Sequence, residues 1–233
     1  MEEKEEKNNT SATGKYKKAI FLLVAIVVFA GLIYVSVSFF GLGGGNKVAA
    51  KVNGNQILQS ELQKRFDQDK KTAVSQGVDT SNPETVKQVK SKILEELINT
   101  ELLVQASKKS GIEVTQEDID SEIASVKKQV GGEEVLSKRL SDVGMSEDEF
   151  RQEVSKQLMI QKYLLKNIDI DSTKATEDEI NSAYKQASEV TDNIPPLSEI
   201  KDQIATKIAT DKQQKLLNDL IEKLRSGASI EIL

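Results

Sequence analysis

The amino-acid sequence predicts a mostly α-helical protein with one N-terminal transmembrane helix and a small pair of terminal β-strands. Three observations lead to this fold class. Charged residues make up 30% of the 233 residues, whereas aromatic residues make up 4% and there are three prolines, a balance that favours long amphipathic helices. Apolar residues recur at helical spacing through most of the chain after residue 82. Before that, residues 19–42 form an apolar run without a charge.

The apolar run at residues 19–42 predicts a transmembrane signal anchor, because about 20 apolar residues in a helix cross the hydrocarbon core. Lys15, Lys17 and Lys18 precede the run, and the next lysine is Lys47. Cytoplasmic flanks carry the excess of positive charge, so we expect a cytoplasmic N-terminus and an extracytoplasmic residue 43 onward. Residues 1–18 are polar and mixed in charge, which predicts a disordered cytoplasmic tail. The predicted location is the cell membrane, with a single pass.

A cleaved signal peptide is the alternative interpretation of this N-terminal part. Val48, Ala49 and Ala50 are small enough for a signal peptidase site. Signal peptides have an apolar region of about 7 to 15 residues, and residues 19–42 exceed that length. Cleavage there would also divide a predicted strand. We therefore favour an uncleaved anchor.

The exported part begins with a flexible joint and a β-hairpin. The glycine-rich residues 43–46 predict a short linker. Residues 48–52 alternate in polarity, and Asn53-Gly54 predicts a tight turn into a second strand. Ser60 with Gln63 three residues later predicts a capping box at the start of the first helix.

Later helices are marked by cap residues at their starts and by glycine or asparagine at their ends. The predicted starts are Asn82 with Pro83, Thr115 with Asp118, Ser146 with Glu149, Thr176 with Glu179, and Ser198 after Pro195-Pro196. The predicted ends are Gly111, Gly131-Gly132, Gly144 and the neighbourhood of Asn167.

Apolar stripes within these helices predict the core. The first long stripe contains Val86, Val89, Ile93, Leu97, Ile98 and Leu102. The stripe after Ser146 contains Phe150, Val154, Leu158 and Leu165, with Met159 and Tyr163 beside it. The last helix carries Ile200, Ile204, Ile208, Leu216, Leu220 and Leu224. Residues 229–233 alternate in polarity and are expected to pair with residues 48–52.

The composition excludes several classes of function. The chain has no cysteine and no histidine, which removes thiol nucleophiles, disulfides, Cys/His zinc sites and the usual base of acyl-transfer triads. Its carboxylates form no paired-acid spacing that suits catalysis, and there is no phosphate-binding loop. The net charge is −5, with both signs interleaved, so a nucleic-acid partner is not expected. We predict no enzyme, no cofactor and no metal.

Three motifs occur in order along the chain, namely Asn53-Gly54 with Ile57 and Ser60-Glu61, then Gly111-Ile112 with Val114-Thr115 and Asp118-Ile119, then Met145-Ser146 with Phe150. Together they resemble the SurA N-terminal domain family, which is shared with PrsA-type folding factors. The resemblance covers residues 47–172, predicted to form a SurA N-terminal-like helical domain. Residues 198–233 resemble the C-terminal helix and strand that return to this domain in the family.

The chain departs from the family pattern between these two parts. SurA and PrsA relatives carry a parvulin prolyl-isomerase domain there, whereas residues 173–197 leave room only for a short connection. Parvulin sites also use histidines, which this chain lacks. The resemblance therefore implies a chaperone that binds unfolded exported polypeptides without ATP, acting as a holdase without isomerase activity.

Candidate client contacts are Met145, Phe150, Met159 and Tyr163, because methionine and aromatic side chains adapt to varied partners. Their alternative role is ordinary core packing. The acidic surplus of the exported part could favour basic clients or form a solvated surface. The alternative function is a non-catalytic scaffold that docks one dedicated cell-envelope partner.

Overall fold

Seven α-helices and three short strands form the part of the chain that a computed structural model describes, namely residues 47–75, 81–142, 144–191 and 194–233. In chain order they are β1 (Val48–Val52), β2 (Asn55–Leu58), α1 (Gln59–Ser75), α2 (Pro83–Lys109), α3 (Gln116–Val130), α4 (Glu133–Asp142), α5 (Glu147–Asn167), a 3-10 helix (Asp171–Thr173), α6 (Glu177–Val190), α7 (Leu197–Ser226) and β3 (Ile230–Ile232). The mostly helical prediction is confirmed.

The predicted tail, anchor and linker at residues 1–18, 19–42 and 43–46 lie outside the described residues. Across the ranges that are described, no helix combines the length and the apolar character needed to cross a membrane. The anchor therefore stays a prediction from the sequence.

The three strands form one antiparallel sheet in the order β2-β1-β3. The β1–β2 hairpin turns at Asn53 and Gly54, whose φ angles of 51° and 89° are both left-handed. Such angles match the right-handed twist of the flanking strands in a two-residue hairpin, which is why Asn-Gly suits the position. On the other side of β1, Ala50 pairs with Ile232 and Val52 pairs with Ile230. The predicted hairpin and the predicted return of residues 229–233 are both confirmed.

Asn53 links this hairpin by hydrogen bonds to the segment just before β3 and to α2. Its backbone N–H donates to the Ser229 carbonyl at 2.8 Å, and its Oδ1 accepts from the Ser229 N–H at 2.8 Å. Its Nδ2 donates to Oε1 of Gln105 at 2.8 Å, and Gln105 donates to the Val52 carbonyl at 3.0 Å. One side chain thus links segments that are far apart in sequence.

Replacing Asn53 with alanine is expected to lower the free energy of unfolding by about 2 kcal/mol. An alanine in the left-handed region costs roughly 1 kcal/mol, and each lost hydrogen bond contributes about 1 kcal/mol or less at this exposed site. Urea denaturation measures the change. Asn53→Gly is the matched control, because it removes the same hydrogen bonds without the backbone strain and should lose less. Equal stability of Asn53→Ala and the parent chain would contradict this account.

Helix α2 lies at the centre of the core. It contacts α1, α5, α7 and strand β1. Its side chains Ile93, Leu97, Ile98 and Leu102 are buried, and Ile98 has no exposed surface. The predicted stripe is confirmed for these four residues. Val86 and Val89, nearer the start of α2, are only half-buried.

Local capping residues set most helix boundaries as predicted. Oδ1 of Asn82 accepts from the Glu84 and Thr85 N–H groups. Full capping boxes form at Thr115 with Asp118, Ser146 with Glu149, and Thr176 with Glu179. Helix α2 ends before Gly111, and α3 ends at Gly131, whose φ of 102° is left-handed.

Two predicted caps and one predicted core residue are wrong. Helix α1 begins at Gln59, so Ser60 lies inside the first turn, and the Gln63 amide donates to Asp67 at 2.9 Å instead of completing a capping box. Helix α7 begins at Leu197, which leaves Ser198 past the capping position. Leu165 is 48% exposed because it lies two residues after the buried Tyr163 and therefore on the opposite side of α5.

Candidate functional site

The 30-residue helix α7 contains no buried residue, although apolar residues recur along it at helical spacing. Its predicted apolar positions are all half-buried. We call the set Ile200, Ile204, Ile208, Leu216, Leu220 and Leu224 the α7 stripe. Their partial exposure shows that α7 is only partly covered by its neighbours. A long helix therefore offers apolar surface along much of its length.

Polar contacts hold α7 in place at both ends. Near its start, Lys201 pairs with Glu177 at 2.8 Å, and further along Lys212 pairs with Glu179 at 2.6 Å. Near its end, Arg225 pairs with Glu95 of α2 at 2.8 Å. Helix α7 contacts α6, the 3-10 helix and α2. Ion pairs of this exposed kind orient the helix but contribute little stability.

Helix α6 packs against α7 and contributes one buried apolar side chain, Ile180. The Tyr184 hydroxyl donates to the Pro195 carbonyl at 3.2 Å, which ties α6 to the segment entering α7. At the end of α6, Val190 is 86% exposed. The pair α6 and α7 is consequently held by a narrow apolar contact with polar groups around it.

A shallow open groove of about 350 Å³ runs between α6 and α7. Its lining residues are Asp178, Glu179, Ser182, Ala183, Gln186 and Ile208. Ile208 belongs to the α7 stripe, so the groove adds acidic and small polar side chains to an apolar floor. Such a surface can bury apolar side chains of an extended chain without demanding a fixed sequence.

The described residues offer no arrangement for metal chemistry. Within residues 47–75, 81–142, 144–191 and 194–233, no group of three or more Asp or Glu side chains could hold a metal ion.

The predicted client contacts occupy a different place from the α7 stripe. Met145, Phe150 and Tyr163 are buried, with exposed fractions of 7%, 5% and 6%, and Met159 is half-buried. Three of the four thus pack in the core of this structure, as their alternative role requires, and client contact by the four stays a prediction. The sequence signal for the α7 stripe is the helical spacing of its Ile and Leu residues.

A buried carboxyl group on α5 and a half-buried one on α1 have raised pKa values. Glu153 of α5 is 7% exposed, and burial raises its pKa although Lys156 opposes the shift. The Lys156 Nζ lies 3.3 Å from Oε2 of Glu153 but is not aligned for a hydrogen bond with it. Burial likewise raises the pKa of Glu61, and the Glu61 carboxylate adds to the rise in the pKa of Glu153.

Replacing Glu153 with glutamine is expected to stabilise the protein at pH 7, on the order of 1 kcal/mol, because an incompletely compensated buried charge is removed. A carboxyl group with a raised native pKa contributes stability below its unfolded pKa, and this contribution is lost as the pH rises through the native pKa. The gain should therefore shrink as the pH falls from 7 toward 4.5 and Glu153 takes up its proton.

Thermal unfolding of both proteins across this pH range measures the difference. The variant must be compared with the parent chain at each pH, because other carboxyl groups have lowered pKa values and change the stability of both proteins in the opposite direction. The Lys162 ammonium 2.7 Å away and the Thr115 N–H lower the pKa of Asp118 to about 2. Stability from Asp118 is present above the pKa of the unfolded state and is lost as the pH falls from there through the native pKa. A gain that is constant from pH 7 to 4.5 would contradict the assignment to Glu153.

Comparison with known proteins points to one family. Residues 8–164 match the model of the SurA-like N-terminal domain. The chain is similar to Chaperone SurA of Pseudoalteromonas translucida, with 27% identity over 79% of this chain and 45% of the relative. It is also similar to Chaperone SurA of Photorhabdus laumondii, with 26% identity over 83% of this chain and 46% of the relative. The chain spans less than half the length of these relatives.

A solved structure has a similar fold. It is a SurA-like chaperone of Campylobacter jejuni, which matches with a TM-score of 0.52 and 17% identity over 81% of this chain and 99% of the other. At this identity the likeness concerns the fold alone. The fold of the described residues is thus similar to one already seen in a SurA-like chaperone.

Proposed function

The chain belongs to the family of SurA-like N-terminal domains, and from that premise we propose that it is an ATP-independent holdase for unfolded exported polypeptides. The named relatives are chaperones, which supports a chaperone role for this chain. The observation that carries the holdase mode is the α7 stripe, a half-buried apolar surface along a 30-residue helix.

Weak and general binding follows from the chemistry of this surface. An unfolded polypeptide gains free energy when its apolar side chains leave water, at roughly 25 cal/mol for each Å² buried. The surrounding charged residues, such as Lys207 and Asp211, favour solubility and disfavour contact between the α7 stripes of two molecules. No covalent step and no nucleotide are required to hold and release a client.

The holdase is proposed to lack prolyl isomerase activity. Between the 3-10 helix and α7 the chain forms the single helix α6, and the described part of this connection contains no further strand. The chain also has no histidine. Both features support binding without isomerisation.

A membrane tether is part of the proposal. Residues 19–42 would anchor the chain with its C-terminal part outside the cytoplasm. Tethering raises the effective concentration of the holdase where exported chains emerge. At this higher effective concentration, a surface that binds clients weakly can still hold them.

Aggregation assays test the holdase proposal. Residues 47–233 are purified, and substoichiometric to equimolar amounts are added to several unrelated unfolded proteins. We expect suppression of light scattering for all of them. If no client responds, the holdase proposal is wrong and a search for one dedicated cell-envelope partner follows. A prolyl-peptide isomerisation assay on the same sample should give the uncatalysed rate.

A further inference from the structure

Helix α5 carries two buried acceptor atoms one turn apart. They are Oε2 of Glu153 and Oε1 of Gln157, and within the described part of the chain neither has a hydrogen-bond partner. Residues four positions apart on a helix are neighbours on one face, so the two oxygens belong to one site. Buried acceptors without a donor are unfavourable, and two acceptors cannot bond to each other unless a hydrogen lies between them.

The same site has more carboxylate charge than ammonium charge. Glu153 is 7% exposed, and the Glu61 carboxylate of α1 acts on it electrostatically. Both carboxylates share the Lys156 ammonium, whose Nζ lies 3.3 Å from Oε2 of Glu153. Glu61 also accepts a hydrogen bond from the Leu58 N–H, and Glu101 of α2 adds a negative charge beside it. A proton on Glu153 would reduce this surplus of negative charge.

The other charged groups on the helices around α5 have partners. Glu101 accepts from Asn55 at 2.6 Å and from Gln105 at 2.7 Å. Three ion pairs engage charged side chains of α3 and α4, which also contact α5, namely Asp118–Lys162, Asp120–Arg151 and Lys127–Glu133. The unmet hydrogen-bonding capacity is therefore concentrated at Glu153 and Gln157.

We propose that Glu153 and Gln157 form a proton-binding site in which the protonated Glu153 carboxyl group donates a hydrogen bond to the Gln157 amide oxygen. A single proton taken up from solvent gives both buried oxygens a partner and removes a buried negative charge. The raised pKa of Glu153 agrees with this arrangement. Because α5 packs against α2, α3 and α4, proton uptake tightens the packing of α5 and makes it respond to pH. The proposal is independent of client binding and of the anchor.

The opposite orientation of the Gln157 amide is the competing arrangement. With its Nε2 turned toward Glu153, Gln157 would donate to the ionised carboxylate and favour the charged form. The two arrangements predict opposite results when Gln157 is replaced. Loss of an acceptor for the carboxyl proton lowers the pKa of Glu153, whereas loss of a donor to the carboxylate raises it.

Nuclear magnetic resonance of the full chain in detergent micelles, with isotope-labelled glutamate, follows the Glu153 carboxyl signal as the pH changes. The signal is assigned by its loss in Glu153→Gln. In Gln157→Met we expect Glu153 to titrate roughly half to one pH unit lower than in the parent chain. Gln152→Met is the matched control, because Gln152 is an exposed glutamine of α5 next to Glu153, and it should leave the midpoint unchanged. An unchanged or higher midpoint in Gln157→Met would overturn the proposal.

Hydrogen exchange of the α5 amides is a second measurement that does not need Gln157→Met to fold. Glu153→Gln offers an amide N–H in place of the carboxyl proton, so it imitates the protonated state at every pH. At neutral pH its α5 amides should exchange more slowly than those of the parent chain, and this difference should vanish as the pH falls and Glu153 is protonated. Equal exchange in both proteins at neutral pH, or a difference that persists at low pH, would show that no proton at Glu153 controls the packing of α5.

Discussion

Replacing Ile204, Ile208 and Leu216 of the α7 stripe with serine is expected to abolish aggregation suppression at equimolar concentration. Each half-buried aliphatic side chain contributes about 1 kcal/mol to burial of a client. Three losses together weaken binding by about a hundredfold, since each 1.4 kcal/mol is a factor of ten. A weak holdase operating near its dissociation constant cannot tolerate such a loss.

The amount of protein that halves light scattering measures this effect. The matched control replaces Gln203, Thr206 and Gln214 with serine, because these residues are on the same helix and are exposed. The control should suppress aggregation as the parent chain does. Far-UV circular dichroism and urea denaturation must find the stripe variant folded. Full suppression by a folded stripe variant would place client binding elsewhere.

Helix boundaries were predictable because they depend on neighbouring residues. A Thr or Ser hydroxyl followed three residues later by a carboxylate satisfies backbone N–H groups at a helix start, whatever the rest of the chain does. Thr115, Ser146 and Thr176 all act in this way. Asn53-Gly54 is similarly local, since its left-handed angles are intrinsic to the turn.

The burial of apolar side chains was less predictable than the helix boundaries, because burial depends on which other elements pack against the helix. The stripe of α2 and the stripe of α7 have the same helical spacing in the sequence, but α2 has neighbours on several sides and α7 has few. Ile98 is therefore fully buried, whereas Ile204 remains half-exposed. Residue spacing identifies the apolar face of a helix, and only the tertiary structure tells whether that face is covered.

The candidate site was harder to predict than the fold for a related reason. Residue type led us to Phe150 and Tyr163, because aromatic side chains suit adaptable binding surfaces. Aromatic side chains also contribute large apolar areas to a core, and α5 uses both residues in that way. The half-buried α7 stripe instead consists of ordinary Ile and Leu residues that composition does not distinguish from core residues.

Replacing Ile98 with alanine is expected to lower the free energy of unfolding by about 2 to 5 kcal/mol. Ile98 has no exposed surface and lies in α2, the helix that contacts α1, α5, α7 and β1. The loss combines the transfer of three carbon atoms out of the core with an incompletely filled cavity. Domains of this kind have only about 5 to 15 kcal/mol in total, so the variant approaches unfolding.

Urea denaturation of Ile98→Ala gives this loss as a lower midpoint with an unchanged slope. Val190→Ala is the control, since Val190 is 86% exposed and its replacement should change stability by about 0.5 kcal/mol or less.

Because α2 also holds the end of α7 through Glu95 and Arg225, loss of α2 packing should release α7 and impair client holding in the same urea range. If α7 kept its function after α2 had unfolded, the stripe would need no support from the core, and α6 would have to position it alone.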